Sequence, residues 1–267
     1  MVRKLKWNTL RTNERIVRFP FKGIEIQVVH GDLTRERTGA IVVPANGSFR
    51  PVLLPGSLQE AVHKISPEIF SEVAAKSDIE WQDARPKAKI SDMHFPPGHS
   101  ILTTAGSLPA QNVIHTVGFS SKRDALDATD GPIIRKAIFG AIAKANEYGL
   151  SSMSIPAFGT GVLNKDLAVF FARGGMPDSL RDSVHASLSA LGDHAQNTSL
   201  KKLRIVVLTN QEHERVVREV RRWLFNQKYI GPYDPNRGMH TLDEKTGYVI
   251  EHRRGQKRII KDWLKQP

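Results

Sequence analysis

SIPAFGTGVLN, residues Ser154 to Asn164, is the stretch on which the reading of this chain turns. Apolar residues lead into it: Met153 and Ile155, then Pro156, Ala157 and Phe158. It opens at Gly159-Thr160-Gly161, and a helical pattern starts near Lys165. Strand, glycine turn, helix is the plan of a loop that holds phosphate. Glycine lets the backbone approach closely, and N–H groups at a helix start point at negative charge. A plain tight turn between a buried strand and a helix is the alternative, and the stronger one for this stretch alone. A second stretch of the same kind, Asn46 to Gln59, moves the reading towards phosphate.

Working outward, the runs Ile24 to His30, Ala40 to Ala45, Ser100 to Thr104, Asn112 to Val117, Ser152 to Ala157 and Leu203 to Thr209 are apolar and rich in β-branched residues, as buried strands are. Arg15 to Phe19 reads as a short edge strand ending at Pro20. Ser57-Leu58-Gln59-Glu60 fits a capping box that opens a helix. Ser66-Pro67 restarts it, with Ile69, Phe70 and Val73 on one face. The polar, proline-bearing stretch 77–97 reads as loop. Further helices are expected from Gly131 to Gly149, over 165–172, over 178–191 and from Gln211 to Phe225. Alternating strands and helices make 24–225 an α/β unit with a largely parallel sheet.

The chain has 267 residues, no cysteine and a net charge of +12. Without cysteine there is no disulfide, thiolate metal site or thiol nucleophile. No segment reads as a secretory leader or a membrane span, so an intracellular place, cytoplasmic or nucleoid/nuclear, is expected. The charge is uneven. Residues 1–22 carry seven Lys/Arg against one Glu, and residues 227–267 carry nine Lys/Arg against five Asp/Glu. Basic ends attract polyanions, so nucleic acid bound through the termini is one expected partner; simple solubility is the other use of such charge. The expected division is a basic N-terminal arm 1–19, a folded body 20–226 and a basic C-terminal extension 227–267. In the extension, Met239 to Asp243 and Tyr248 to His252 could pair as a hairpin. Ile259, Ile260, Trp263 and Leu264 share one face of an expected short final helix.

Five blocks then stand in order: Val29 to Thr34 (VHGDLT), Val43 to Asn46 (VPAN), Gly56 to His63 (GSLQEAVH), His115 to Gly118 (HTVG) and the SIPAFGTGV loop. Together, over about residues 20–226, they resemble the macrodomain family, which binds ADP-ribose. The resemblance implies a three-layer α/β/α fold with a mixed, mostly parallel six-stranded sheet. It implies a ligand at the carboxyl ends of the strands, where open α/β sheets place ligands. It puts Asp32 against the adenine amino group with Leu33 beside the ring, and Asn46 at the distal ribose. Gly56, Ser57 and Leu58 fall in the first phosphate loop. Gly159, Thr160, Gly161, Val162, Leu163 and Asn164 fall in the second, with Ala45 and Pro156 lining the site. Each also has a plainer use: Asp32 as a turn cap, Asn46-Gly47 as a turn, His63 and His115 as packed structural histidines.

Departures from the family pattern bear on activity. The glycine run of the first loop is replaced by Leu54-Pro55-Gly56-Ser57. Where hydrolytic members carry an aspartate, Gln59 stands, and an amide is no general base. Asn46 remains able to position a water, and Glu60 is adjacent but committed to the capping box. The expectation is therefore binding of ADP-ribose or an ADP-ribosylated macromolecule, with no metal or cofactor. The alternatives are an ADP-ribosyl hydrolase relying on Asn46, and a nucleic-acid-binding module.

Overall fold

The computed structural model describes residues 15–119, 131–158, 179–229, 239–243, 245–253 and 256–261. Seven strands form the main sheet: β1 (Arg15–Phe21), β2 (Ile24–His30), β3 (Ala40–Asn46), β4 (Ser100–Thr104), β5 (Asn112–Phe119), β6 (Ser152–Pro156) and β7 (Lys202–Val207). Their order is β1-β2-β7-β6-β3-β5-β4. The inner neighbours are parallel, while β1 and β4 close the edges antiparallel. The sheet thus has seven strands, not six. Arg15–Phe21 pairs with β2 along its whole length, through a hairpin at Lys22-Gly23 where both φ angles are positive. Pro20 is tolerated there because β1 is an edge.

Strand alternation divides the core into two layers. Ala40, Val42, Met153, Ile155, Leu203 and Ile205 face α3 (Gly131–Glu147), α4 (Ser179–His194) and α5 (Asn210–Tyr229). Ile41, Val43, Val113 and Val206 face α1 (Leu58–Ile65) and α2 (Glu68–Ala84). Helix α2 overturns the loop expected over 77–97. Ser77 and Trp81 continue the buried face of Phe70 and Val73 at helical spacing. Trp81 meets Phe95 edge-on at 5.5 Å. The helix ends only at Arg85, whose proline neighbour disfavours further α geometry. A 3-10 turn follows at Ile90–Asp92.

His115 is a packed core residue, with Phe70 edge-on at 5.7 Å and Thr103 Oγ1 3.1 Å from Nε2. Burial pushes its imidazole down to about 3, against the attraction of Glu72 and helped by Lys76. The unfolded ring takes its proton near 6.5. The neutral ring's contribution is therefore full above that pH and is lost as pH falls towards 3, at about 1.4 kcal/mol per unit. Urea midpoints should fall between about pH 7 and pH 4, and fall less in His115→Gln.

The extension forms a second sheet of β8 (Met239–Leu242), β9 (Val249–Arg253) and β10 (Gln256–Ile260). The expected hairpin is β8–β9. The expected short helix is overturned at Ile259 and Ile260, which lie in β10 paired to β9. Pairing to an existing strand overrides the local helical spacing. Val249 is fully buried, and Leu242 and Ile260 pack against the main core, so the sheet is docked on the body. Trp263, Leu264, most of the basic arm and the helix expected over 165–172 lie outside the described residues.

Candidate functional site

The strand order creates a crevice. β3 and β6 are neighbours, yet they pair only at Ala40–Met153 and Ile41–Ser154. Beyond that, β3 follows β5 and β6 follows β7, so the two diverge towards their carboxyl ends. Pro44 turns its carbonyl to Gln59 and has no N–H to offer a further rung. The helices that follow lie on opposite faces: α1 after β3, α4 after β6. Such a switch point is where open α/β sheets hold ligands.

The loop leaving β3 forms one rim. Asn46 Oδ1 accepts from the Ser48 N–H at 3.0 Å and from Ser48 Oγ at 2.8 Å, and its Nδ2 donates to Arg50 O at 2.9 Å. Phe49, at φ +52°, drives its ring into the cluster of Phe95 and His99, 5.5 and 5.8 Å away. Burial of that ring offsets the left-handed backbone. Arg50 pairs with Asp78. Gln59 spans the loop: Nε2 donates to Pro44 O at 2.6 Å, and Oε1 accepts from the Val52 N–H at 2.8 Å.

Helix α1 starts as the sequence predicts, with Ser57 Oγ accepting from the Glu60 N–H at 3.1 Å. The return bond lands one residue early, with Glu60 Oε2 accepting from the Gly56 N–H at 2.6 Å. Lys64, then that N–H, hold the Glu60 carboxyl below its usual range. Glu60 is thus a bound carboxylate at the loop, not a poised base. The Ser57 N–H is taken by Leu54 O. The N–H groups of Leu58 and Gln59, in the first helical turn, have no partner within the helix.

The other expected residues are placed as follows. Pro156 and Ala157 are half-buried at the end of β6, and Phe158 is in the core. Gly159, Thr160, Gly161, Val162, Leu163 and Asn164 lie outside the described residues. Asp32 caps the 3-10 turn Leu33–Arg35, its Oδ1 accepting from Thr34 N–H and Oγ1 at 2.9 and 2.8 Å. Its side chain is 44% exposed, with Oδ2 facing Arg35 at 3.8 Å. Leu33 and Ala45 are buried in the core. Asp32 and Asn46 end strands three places apart, about 14 Å across the edge at ordinary strand spacing. One further residue shares this edge. Leu208, just past β7, is 71% exposed, and His30 Nε2 lies 3.0 Å from its carbonyl. The sequence places it inside the apolar run Leu203 to Thr209, so nothing local marks its exposure.

This is an α/β protein whose sheet has a switch point between β3 and β6. The family model described as Macro domain matches residues 56–169. An O-acetyl-ADP-ribose deacetylase of Citrobacter rodentium is 31% identical over 138 residues, which cover 51% of this chain and 68% of that protein. An uncharacterized protein of Thermotoga maritima is 31% identical over 69% of this chain, which spans only 26% of that longer relative. The Oceanobacillus iheyensis macrodomain with ADP matches with a TM-score of 0.60 at 20% identity, covering 81% of this chain and 100% of its own. A Trypanosoma brucei macrodomain in complex with ADP-ribose matches with a TM-score of 0.51 at 21% identity, over 73% of this chain and 68% of its own. The chain belongs to the macrodomain family. Among the described residues no helix is long and apolar enough to cross a membrane.

Proposed function

We propose that residues 20–226 bind ADP-ribose, free or carried on a macromolecule, in the crevice between β3 and β6. The observation that carries this is the divergence of those two strands where their helices leave to opposite faces, with a capped helix start on one rim. The diphosphate meets the first turn of α1, where Leu58 and Gln59 offer N–H groups. Asp32 receives the adenine amino group on Oδ2, about 14 Å along the same edge, and Asn46 lies towards the distal ribose. The basic ends suit a polyanionic carrier such as nucleic acid, in an intracellular setting.

Isothermal titration with ADP-ribose tests this. Asp32→Asn keeps the Thr34 cap but loses the charge, and Asp32→Ala loses both. Each should weaken binding by roughly 10- to 100-fold, as expected for a hydrogen bond to a charged group. No heat with the parent protein, or equal affinity in all three, overturns the proposal.

Hydrolysis is the second reading, because a relative is named O-acetyl-ADP-ribose deacetylase. Three contacts favour binding over turnover. The Asn46 amide is engaged in its own loop, Gln59 is a strut, and Glu60 is held by Lys64 and Gly56. Turnover of an O-acyl ADP-ribose by the parent protein, lost in Asn46→Ala, would reverse that order.

A further inference from the structure

The C-terminal sheet has two unlike faces. Cross-strand register sets Leu242, Val249 and Ile260 in one row, and that row packs on the main core. Alternation along the strands then sets Ile250 and His252 of β9 and Tyr248 just before it, with Lys257 and Ile259 of β10 and Lys261 just beyond it, on the opposite face. Lys261 Nζ stands 6.0 Å from the centre of the Tyr248 ring, and Ile259 is 60% exposed. Lys257 lies opposite His252. A face that met only water would be polar. This one interleaves planar and branched apolar side chains with ammonium groups.

Its surroundings extend the positive charge. The Arg221 guanidinium of α5 lies against the turn at Gly247, where a Cβ would come within 2.9 Å of it. Lys245 is exposed in the same turn. The acid of that turn, Asp243, is engaged by its own loop, accepting from the Lys245 N–H and from Thr246 Oγ1 at 3.0 and 2.7 Å. Glu251 falls on the inner face with Arg258, its partner in the register. Within Met239–Leu242, Val249–Arg253 and Gln256–Ile260 the outer face carries no carboxylate among the described residues; Asp243, which continues the register opposite Tyr248, is an acid on that side.

We propose that this outer face binds single-stranded nucleic acid. Bases lie on Tyr248, His252 and Ile259, and the phosphates between them meet Lys257 and Lys261. Stacking on flat side chains within a positive surface is how single strands are held without sequence preference. A duplex hides its base faces, so it gains only the charge term. The assignment does not depend on what fills the crevice.

Fluorescence anisotropy with the full chain and a labelled single-stranded DNA of about 12 nucleotides tests it, with the matching duplex as control. The single strand should bind more tightly than the duplex, and binding should weaken as salt rises. Lys257→Glu with Lys261→Glu should cost at least about tenfold and flatten the log–log salt slope by about 1.4, for two lost phosphate contacts. Tyr248→Ala with Ile259→Ser should weaken the single strand while leaving the slope unchanged. All four side chains lie on the outer face, so an unchanged Tm verifies the fold of each variant. Equal or tighter binding of the duplex overturns the proposal. So does a slope that survives the charge reversal, which would assign the binding to the basic arm. A dimer in light scattering that becomes a monomer in Ile259→Ser would give the face to a second copy of the chain instead.

Discussion

Arg204→Met is expected to destabilise the protein by about 3–5 kcal/mol, because it strands a buried carboxylate. Arg204 sits in β7, in register with Gln27 of β2 and Ser154 of β6. Its guanidinium grips both oxygens of Glu36 and also donates to Gln27 Oε1. Ser154 Oγ donates to Glu36 Oε2 at 2.7 Å, with Thr38 Oγ1 a further 3.2 Å from Ser154. Side-chain exposure is 4% for Glu36 and 14% for Arg204, so solvent screens little of this pair. Removing the cation leaves Glu36 under the crossover that carries Asp32, four residues upstream. Urea unfolding gives the loss directly. Replacing both partners, as Glu36→Leu with Arg204→Met, should recover most of it, since no orphan charge remains. A single-variant loss below about 1 kcal/mol would show that water reaches the pair.

Gly140→Ala is the second large effect, and its sign runs against helix propensity. Alanine in the middle of a helix normally gains about 1 kcal/mol over glycine. Here α3 crosses the chain at Gly98 so closely that a Cβ on Gly140 would lie 1.7 Å from Gly98 O. The reverse contact is also closed, since a Cβ on Gly98 would meet Lys136 O at 2.7 Å. Both obstacles are backbone, so no side chain can rotate aside. Gly98 is further fixed by φ +95° and by its N–H donating to Val117 O. The crossing must open or β5 must shift, at about 3 kcal/mol. That corresponds to a Tm lower by roughly 6–12 °C for a domain of this size. A Tm equal to or above the parent's would mean that the crossing is looser than these contacts.

Much of this was legible in the residues. AIVVPAN and LRIVV lie in strands because β-branched side chains suit a sheet buried on both faces, though the strand expected to run on through Leu208 and Thr209 ends at Val207; Ser57 announces its helix by the glutamate three places on. What stayed hidden is non-local. Trp81 is one aromatic in a polar run, and partners brought together by the fold, among them Phe49, Met93 and Phe95, make it a core residue. Glu36 and Arg204 are 168 positions apart, and no local pattern pairs them. The separation of β3 from β6 follows from strand order, which a sequence does not display. Asp32 and Asn46 show why type alone underdetermines a site. Both fill the turn-forming uses open to them, and both still stand at the ligand edge.

The bridge built by Gln59, with the Asn46 amide and the Ser48 hydroxyl, has one more effect. None of these groups gains or loses a proton in the physiological range. The rim they fasten therefore keeps its outline from mildly acidic to mildly alkaline solution. A pH response of the proposed binding would therefore originate outside this bridge.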